Sequence, residues 1–204
     1  HVAARVQRWW GRDSTVIHPP VDIEWYRPDP SVEREDFFLL AGRLVAYKRP
    51  EVAVAAAAAA GVRLIVAGDG RLREQVESAA GPNVELLGRV DDETLRDLFR
   101  RCRALLFPGE EDFGIVPVEA HACGTPVIAL GVGGALDSVV PGETGVHYLG
   151  GVPELAEAMR AFEPDQFDSA VIRRHAEAFS PAAFRAGFTA LATRALEARP
   201  GARG

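Results

Sequence analysis

The sequence predicts an α/β fold built on a doubly wound parallel sheet, and three observations predict it. From Asp36 onward, short apolar runs alternate with stretches of helical periodicity, the pattern of parallel strands joined by crossover helices. Runs such as FFLL, LIVA, ALLF and VIAL are continuously apolar, as strands covered on both faces must be. Glycine and polar residues follow nearly every run, where the chain has to turn. The 204 residues suffice for one domain with a sizeable core and some extra elements. At 48% hydrophobic and 25% charged residues the balance is ordinary and globular.

The elements follow in order. VAARVQRWWG (2–11) predicts a short amphipathic helix with a Trp9–Trp10 pair, ended by Gly11. STVIHPPVD (14–22) reads as a strand running into Pro19–Pro20, an extended break. Residues 22–36 form a polar, proline-bearing connector. FFLLAG (37–42) is the first buried strand, and 50–60 is a helix with proline in its first turn. VRLIVAG (62–68) is a strand, 71–79 a helix, and NVELLG (83–88) a strand. The helix 91–102 has acids in its first turn, where the dipole favours them. ALLF (104–107) and VIAL (127–130) are strands around the helix IVPVEAHA (115–122), with Gly124 placed for a left-handed cap. GGALDSVV (133–140) is a short helix and GVHYL (145–149) an edge strand. Helices follow at 152–161 and 168–178. Ser180–Pro181 supplies an N-cap and first-turn proline for a last helix to about Arg199, with Phe184, Phe188, Leu191 and Leu196 near one face. This divides the chain into an interdomain segment and connector (1–35), a sheet domain (36–163), C-terminal helices (164–198) and a disordered tail (199–204).

Composition excludes some function classes. A formal charge of −6 argues against a nucleic-acid partner, so any anion must be held by a few placed cations. No run reaches transmembrane length, and no signal peptide is evident. Cys102 and Cys123 lie outside any CxxC pattern and read as small buried residues in a reducing compartment. The five histidines have no ligand spacing, so neither metal nor cofactor is expected. These features put the chain in the cytoplasm, either free or at the inner face of the membrane. Because it opens with His1 in helical character, it reads as a piece of a longer protein.

The most informative stretch is FPGEEDFGIVPVEAHACGTPVIA (107–129), the end of a strand, a loop, a helix and the next strand. Two glutamates bracket its turn, Glu111 in the loop and Glu119 on the helix. Between them Phe113, Gly114 and Ile115 open the helix, whose first amides have no partner in their own chain. Together with the helix dipole, such amides seat a phosphate or a sugar hydroxyl. Gly114 lets a ligand approach the backbone. A carboxylate accepts hydrogen bonds, and its two oxygens match a vicinal diol. Carboxylates around exposed amides therefore suit a ligand with phosphate in the middle and a polyol at each end, which is the shape of a nucleotide-sugar. Taken singly, either glutamate is equally well a solvated acid.

The string E-D-F-G-I-V-P-V-E-A-H-A-C-G-T-P-V resembles the motif of family-4 (group 1) retaining glycosyltransferases, with E-x-F-G, E-A and G-x-P-V in that order. The resemblance runs from about residue 14 to 198. It implies a Rossmann-like donor-binding domain, the C-terminal half of a GT-B enzyme, whose acceptor domain precedes it in the family and is missing here. It also implies retaining transfer without a metal.

Other loops then take on meaning. AGRLVAYKR (41–49) follows the first strand and matches the family's G-R-x(4)-K, that is Gly42, Arg43 and Lys48. Both cations stand at a strand's carboxyl end, where open α/β sheets bind ligands. The resemblance gives them the pyrophosphate and the departing nucleoside diphosphate; in isolation they would read as solvated. Gly68 and Gly70 of GDG resemble the family's G-x-G turn, as a tight turn or a place for close nucleotide approach. Arg89 and Val90 would sandwich the base. Asp91 or Asp92 would either accept from guanine donors or cap the helix. Glu111 would meet the sugar hydroxyls, Glu119 the ribose diol, and the amides of Phe113, Gly114 and Ile115 sugar or phosphate oxygens. Asp112 stands where the family often has glycine, an unfavourable charge near pyrophosphate unless it points away. His121 reads as a helix-face residue. GVGGALD (131–137) lacks the third glycine of a dinucleotide fingerprint. It fits instead the family's G-G-x-x-(D/E) turn, with Gly133 and Gly134 near the phosphates. The motif as a whole looks most like bacterial polysaccharide mannosyltransferases, which implies GDP-mannose first and a UDP-sugar second. The implied partners are that donor and a glycan or lipid-linked acceptor. A nucleotide- or phosphosugar-binding module without turnover is the alternative, and the missing fingerprint disfavours an NAD-dependent enzyme.

Overall fold

In the computed structural model, which describes residues 1–197, six parallel strands form one sheet in the order β3-β2-β1-β4-β5-β6. The strands are β1 (Phe38–Ala41), β2 (Leu64–Ala67), β3 (Val84–Gly88), β4 (Ala104–Phe107), β5 (Val127–Leu130) and β6 (Gly145–Tyr148). Every residue of β1, β2, β4 and β5 is buried, which is why their sequences are unbroken apolar runs. Edge strand β3 alternates instead.

Side chains along each strand feed two cores. Phe37, Leu39, Ile65, Leu105 and Phe107 face one layer of helices. Phe38, Leu40, Leu64, Val66 and Leu106 face the other. The period of two along a strand produces this division. The helices are α1 (Val2–Trp10), α2 (Pro50–Ala60), α3 (Arg73–Ala79), α4 (Asp92–Arg101), α5 (Ile115–Ala122), α6 (Ala135–Ser138), α7 (Val152–Ala161), α8 (Ser169–Glu177) and α9 (Pro181–Glu197). Alanine-rich α2 buries Val52, Ala53, Val54, Ala56 and Ala57 and packs on α7.

Topology fixes where a ligand can sit. The chain runs from β1 outward to β3, then crosses back to place β4 beside β1, pairing Phe38 with Ala104 and Leu39 with Leu105. Between the carboxyl ends of β1 and β4 the two following loops diverge and leave a crevice, the usual ligand site of such sheets.

Three expectations need correction. Residues 14–22 form no strand. Pro19 and Pro20 lack N–H donors, and the segment lies over α9, where Ile17 faces Gly187, instead of along a sheet edge. The helix expected over 133–140 spans only Ala135–Ser138, because Gly133 takes a left-handed φ of 61°. His121 lies on a covered face of α5, fully buried. The apolar face expected on α9 is half used, for Phe188 and Leu196 remain 57% and 62% exposed. Ser180 does cap that helix, its Oγ accepting from the Ala183 amide at 3.1 Å. The tail at 199–204 lies outside the described residues.

Candidate active site

The site is assembled from loops at the carboxyl ends of the strands. After β1 the chain makes one 3-10 turn, Ala46–Lys48. Arg49 then adopts a left-handed φ of 52° and passes to Pro50 at the start of α2. This turn aims Lys48 back over the strand end. The Leu44 amide donates to Asp69 O, the Gly42 amide to Ala67 O and the Gly68 amide to Gly88 O, which ties the loops after β1, β2 and β3 together. A Cβ on Gly68 would stand 1.8 Å from Gly42 O, and one on Gly70 2.4 Å from Leu44 O. The absence of side chains there is thus used first by the protein's own backbone.

The loop after β4 crosses in front of Lys48. A Cβ on Gly109 would lie 2.6 Å from the Lys48 Cα, so only glycine lets the two loops come so close. Glu111 then reaches Lys48, with Oε1 2.5 Å from Nζ and the side chains 18% and 16% exposed. Gly42, Arg43, Lys48 and Glu111 line one hollow between β1 and β4. Arg43 donates to the Tyr47 hydroxyl at 3.3 Å and has no ion pair among the described residues. Gly133 and Gly134 brace the loop from behind. The Gly134 amide donates to Glu111 O at 2.7 Å, and a Cβ on Gly134 would stand 2.2 Å from the Phe113 Cα.

Gly114 sits at the N-cap of α5 with φ 83°, and its missing Cβ makes room for the Phe107 ring. The Phe113, Gly114 and Ile115 amides have no acceptor among the described residues. The Phe113 ring stacks on His18 with centroids 5.0 Å apart, so its side chain anchors the loop.

Glu119 lies one turn into α5, and its carboxylate makes no hydrogen bond among the described residues. Burial pushes its carboxyl up to about 7, nearby Asp92 adds to the rise, and Lys48 opposes it. The carboxyl therefore lies within electrostatic reach of both Lys48 and the start of α4. A second, open cleft, lined by Gly42, Arg43, Gly68, Gly70, Arg89 and Val90, adjoins the first through Gly42 and Arg43. Arg43 thus borders both hollows, with Lys48 and Glu111 in the first and Arg89 and Val90 in the second; Glu119 lines neither.

Asp91 and Asp92 separate. Asp91 caps α4, accepting from the Thr94 amide at 2.8 Å, and hydrogen bonding with Thr94, first its side chain and then its amide, holds the carboxyl below the usual range. Asp92 is left uncommitted at the first position of the helix. Among the described residues no group of three or more His, Cys, Asp or Glu side chains could hold a metal ion. Both cysteines are free and buried, with burial pushing each thiol up to about 12.

Two contacts carried no signal in the sequence. Arg5 on α1 meets Asp112 at 2.7 Å, joining residues more than a hundred positions apart. His121 lends Nε2 to Thr144 O at 3.1 Å and packs edge-on against His175 with centroids 5.6 Å apart, tying α5 to the turn before β6 and to α8. Tyr47 was more accessible to reading, since it lies four residues after Arg43 within a tight loop.

Comparison with known proteins bears on the fold and the family. Residues 22–183 match the family model described as glycosyl transferases group 1. The D-inositol 3-phosphate glycosyltransferase of Mycobacterium tuberculosis is 37% identical over 158 residues, which is 66% of this chain and 32% of that enzyme. Sucrose-phosphate synthase from Thermosynechococcus elongatus superposes with a TM-score of 0.82 at 26% identity, over 96% of this chain and 56% of that one. The Anabaena protein HepE, solved in complex with UDP, gives 0.75 at 23% identity over 88% and 57% of the two chains and shares the fold. This chain spans about a third of the length of the curated relatives it matches. The matched span takes in every strand, both acids of the α5 turn and both cations of the β1 loop, and on that ground the chain belongs to the group 1 glycosyl transferases.

Proposed function

We propose that this chain binds the donor of a retaining glycosyl transfer, with GDP-mannose as the donor and a glycan or lipid-linked sugar as the acceptor. The observation that carries the reading is the convergence of Arg43, Lys48 and Glu111 on one hollow at the β1–β4 crevice. Arg43 and Lys48 take the pyrophosphate, each charge-assisted bond contributing roughly 1.5–3 kcal/mol. Glu111 accepts from sugar hydroxyls and Glu119 from the ribose diol. Phe113, Gly114 and Ile115 offer free amides to oxygens of the sugar or phosphate. Arg89 and Val90 flank the base, and Asp92 reads its edge. As the bond from the anomeric carbon to the phosphate breaks, its electron pair goes to the leaving diphosphate. The growing charge meets the two cations, and only that growth speeds the reaction. The acceptor hydroxyl bonds to the anomeric carbon and gives its proton to an oxygen of the departing diphosphate. The acceptor enters from a second domain facing this rim, so the isolated chain binds donor and transfers nothing. The same reading puts this work in the cytoplasm or at the membrane's inner face; no helix among the described residues is long and apolar enough to cross a membrane.

A UDP-sugar is the second reading, favoured by one observation: Asp91 is spent on the α4 cap, leaving a single acid for the base. HepE, with the same fold, was solved with UDP. Calorimetry with GDP, UDP and ADP at fixed salt tests both readings. GDP binding tightest supports GDP-mannose, and UDP binding tightest supports the second reading. If none binds, the site assignment is wrong.

A further inference from the structure

Lys48 and Glu111 neutralise one another. Nζ lies 2.5 Å from Oε1, and neither head group makes another hydrogen bond or ion pair among the described residues. The side chains are only 16% and 18% exposed, so water does little to screen them. Arg43 lines the same hollow with no carboxylate beside it. The hollow thus presents one unbalanced cation and one cation already balanced by an acid of the chain itself.

An incoming diphosphate has to take Lys48 away from Glu111. Both are anions, and both compete for the same ammonium donors. What travels with the diphosphate decides what becomes of Glu111. A sugar brings hydroxyl groups, which can donate to the released carboxylate. A bare diphosphate brings acceptors only. Glu111 is then left charged, partly dehydrated and without the one donor it held before binding, a cost set by the loss of Lys48. The braced loop gives it no easy retreat, since Gly134 holds its carbonyl at 2.7 Å.

We propose that the Lys48–Glu111 ion pair is a specificity device: it makes the site prefer a nucleotide-sugar over the nucleoside diphosphate left after transfer, because only the sugar supplies Glu111 with donors once Lys48 has turned to the phosphates. The inference rests on the nucleotide-sugar reading above. Once the sugar has left, Glu111 competes for Lys48 again and the diphosphate is displaced. Glu111 therefore acts twice, on the sugar directly and on product release through Lys48.

Calorimetry of the chain with GDP, GDP-mannose, UDP and UDP-glucose tests this at fixed salt. Glu111→Gln keeps the shape and removes the charge. It should bind the bare nucleoside diphosphate about tenfold tighter than wild type, equivalent to about 1.4 kcal/mol, and lose most of the preference for the sugar conjugate. Glu111→Ala should change both in the same direction, which covers the case of a poorly folded Gln variant. In a Lys48→Ala background the gain from Glu111→Gln should fall below about threefold, since the competition is gone. An equal gain in that background means plain charge repulsion and overturns the proposal. So does a wild type that binds nucleoside diphosphate while neither Glu111 variant binds it tighter. If wild type and variants bind no nucleotide at all, the nucleotide-sugar reading itself falls.

Discussion

Asp112 meets Arg5 of α1 at 2.7 Å, in a contact where the two side chains are 59% and 49% exposed. The acid that stands where a glycine is expected is thus matched by a cation from the start of the chain. Exposed pairs contribute about 0–1 kcal/mol, so Asp112→Gly should shift the melting temperature by less than about 3 °C. Arg5→Ala leaves Asp112 unbalanced one residue from Glu111, beside the proposed diphosphate site. It should weaken nucleoside diphosphate binding about two- to threefold at low salt, and the effect should vanish at high salt as screening grows. Calorimetry at two ionic strengths checks it.

The roles along the cleft separate by ligand. Glu119→Ala should weaken GDP or UDP binding by about tenfold or more and leave free pyrophosphate unchanged, since only the nucleotide carries a ribose diol. Arg43→Ala and Lys48→Ala should weaken both ligands. Equal affinity of wild type and Glu119→Ala for nucleoside diphosphate would remove the ribose role.

Glu119 and His121 oppose each other in pH. Burial, with Asp92 second, raises the Glu119 carboxyl to about 7, so the folded chain binds its proton more tightly than the unfolded chain does. That contribution is complete below the ordinary carboxylate value and is lost as pH rises through about 7. Glu119→Gln should therefore be more stable than wild type at pH 8, with the gain shrinking toward pH 5. Urea denaturation at both pH values reads it.

His121 has the opposite sign. Burial first, then neighbouring His175, lowers it to about 3, against the pull of the Thr144 carbonyl. The neutral ring's contribution is present above the ordinary histidine value and is lost as pH falls toward about 3. His121→Phe should flatten the stability loss between pH 7 and pH 4 in the same urea series. In wild type the two slopes partly cancel between pH 5 and 6, so the single variants are needed to separate them.

Gly134 tests the bracing of the loop that carries Glu111. Its backbone is ordinary, with φ −70°, so any cost of Gly134→Ala comes from the Cβ placed 2.2 Å from the Phe113 Cα. Overpacking of this kind costs about 1–3 kcal/mol. Donor affinity should fall with it, because the displaced segment carries Glu111 and the free amides. Thermal unfolding and calorimetry on the one variant check both.

Much of this was legible in the residues. The unbroken runs FLLA, LIVA, ALLF and VIAL determined buried parallel strands, because a strand covered on both faces has no polar side to show. Glycine and proline marked the turns because few other residues accept those backbone angles. Glu111, Glu119, Arg43 and Lys48 could be singled out because the strings that hold them resemble the group 1 motifs; taken singly, each reads as a solvated charge.

What the residues alone left open was decided by the fold. Whether Asp91 capped a helix or read a base depended on where the Thr94 amide pointed. The glycines of the G-x-G and G-G turns looked like room for a ligand, yet their bare faces receive Gly42 O, Leu44 O and Phe113. Burial of His121 and the pairings of Arg5 with Asp112 and Lys48 with Glu111 join residues distant in sequence. Local pattern follows from the torsional and solvation preferences of neighbours, which the sequence states directly. Charge partners and pKa values depend on desolvation and on distances across loops, and those exist only once the sheet has brought the loops together.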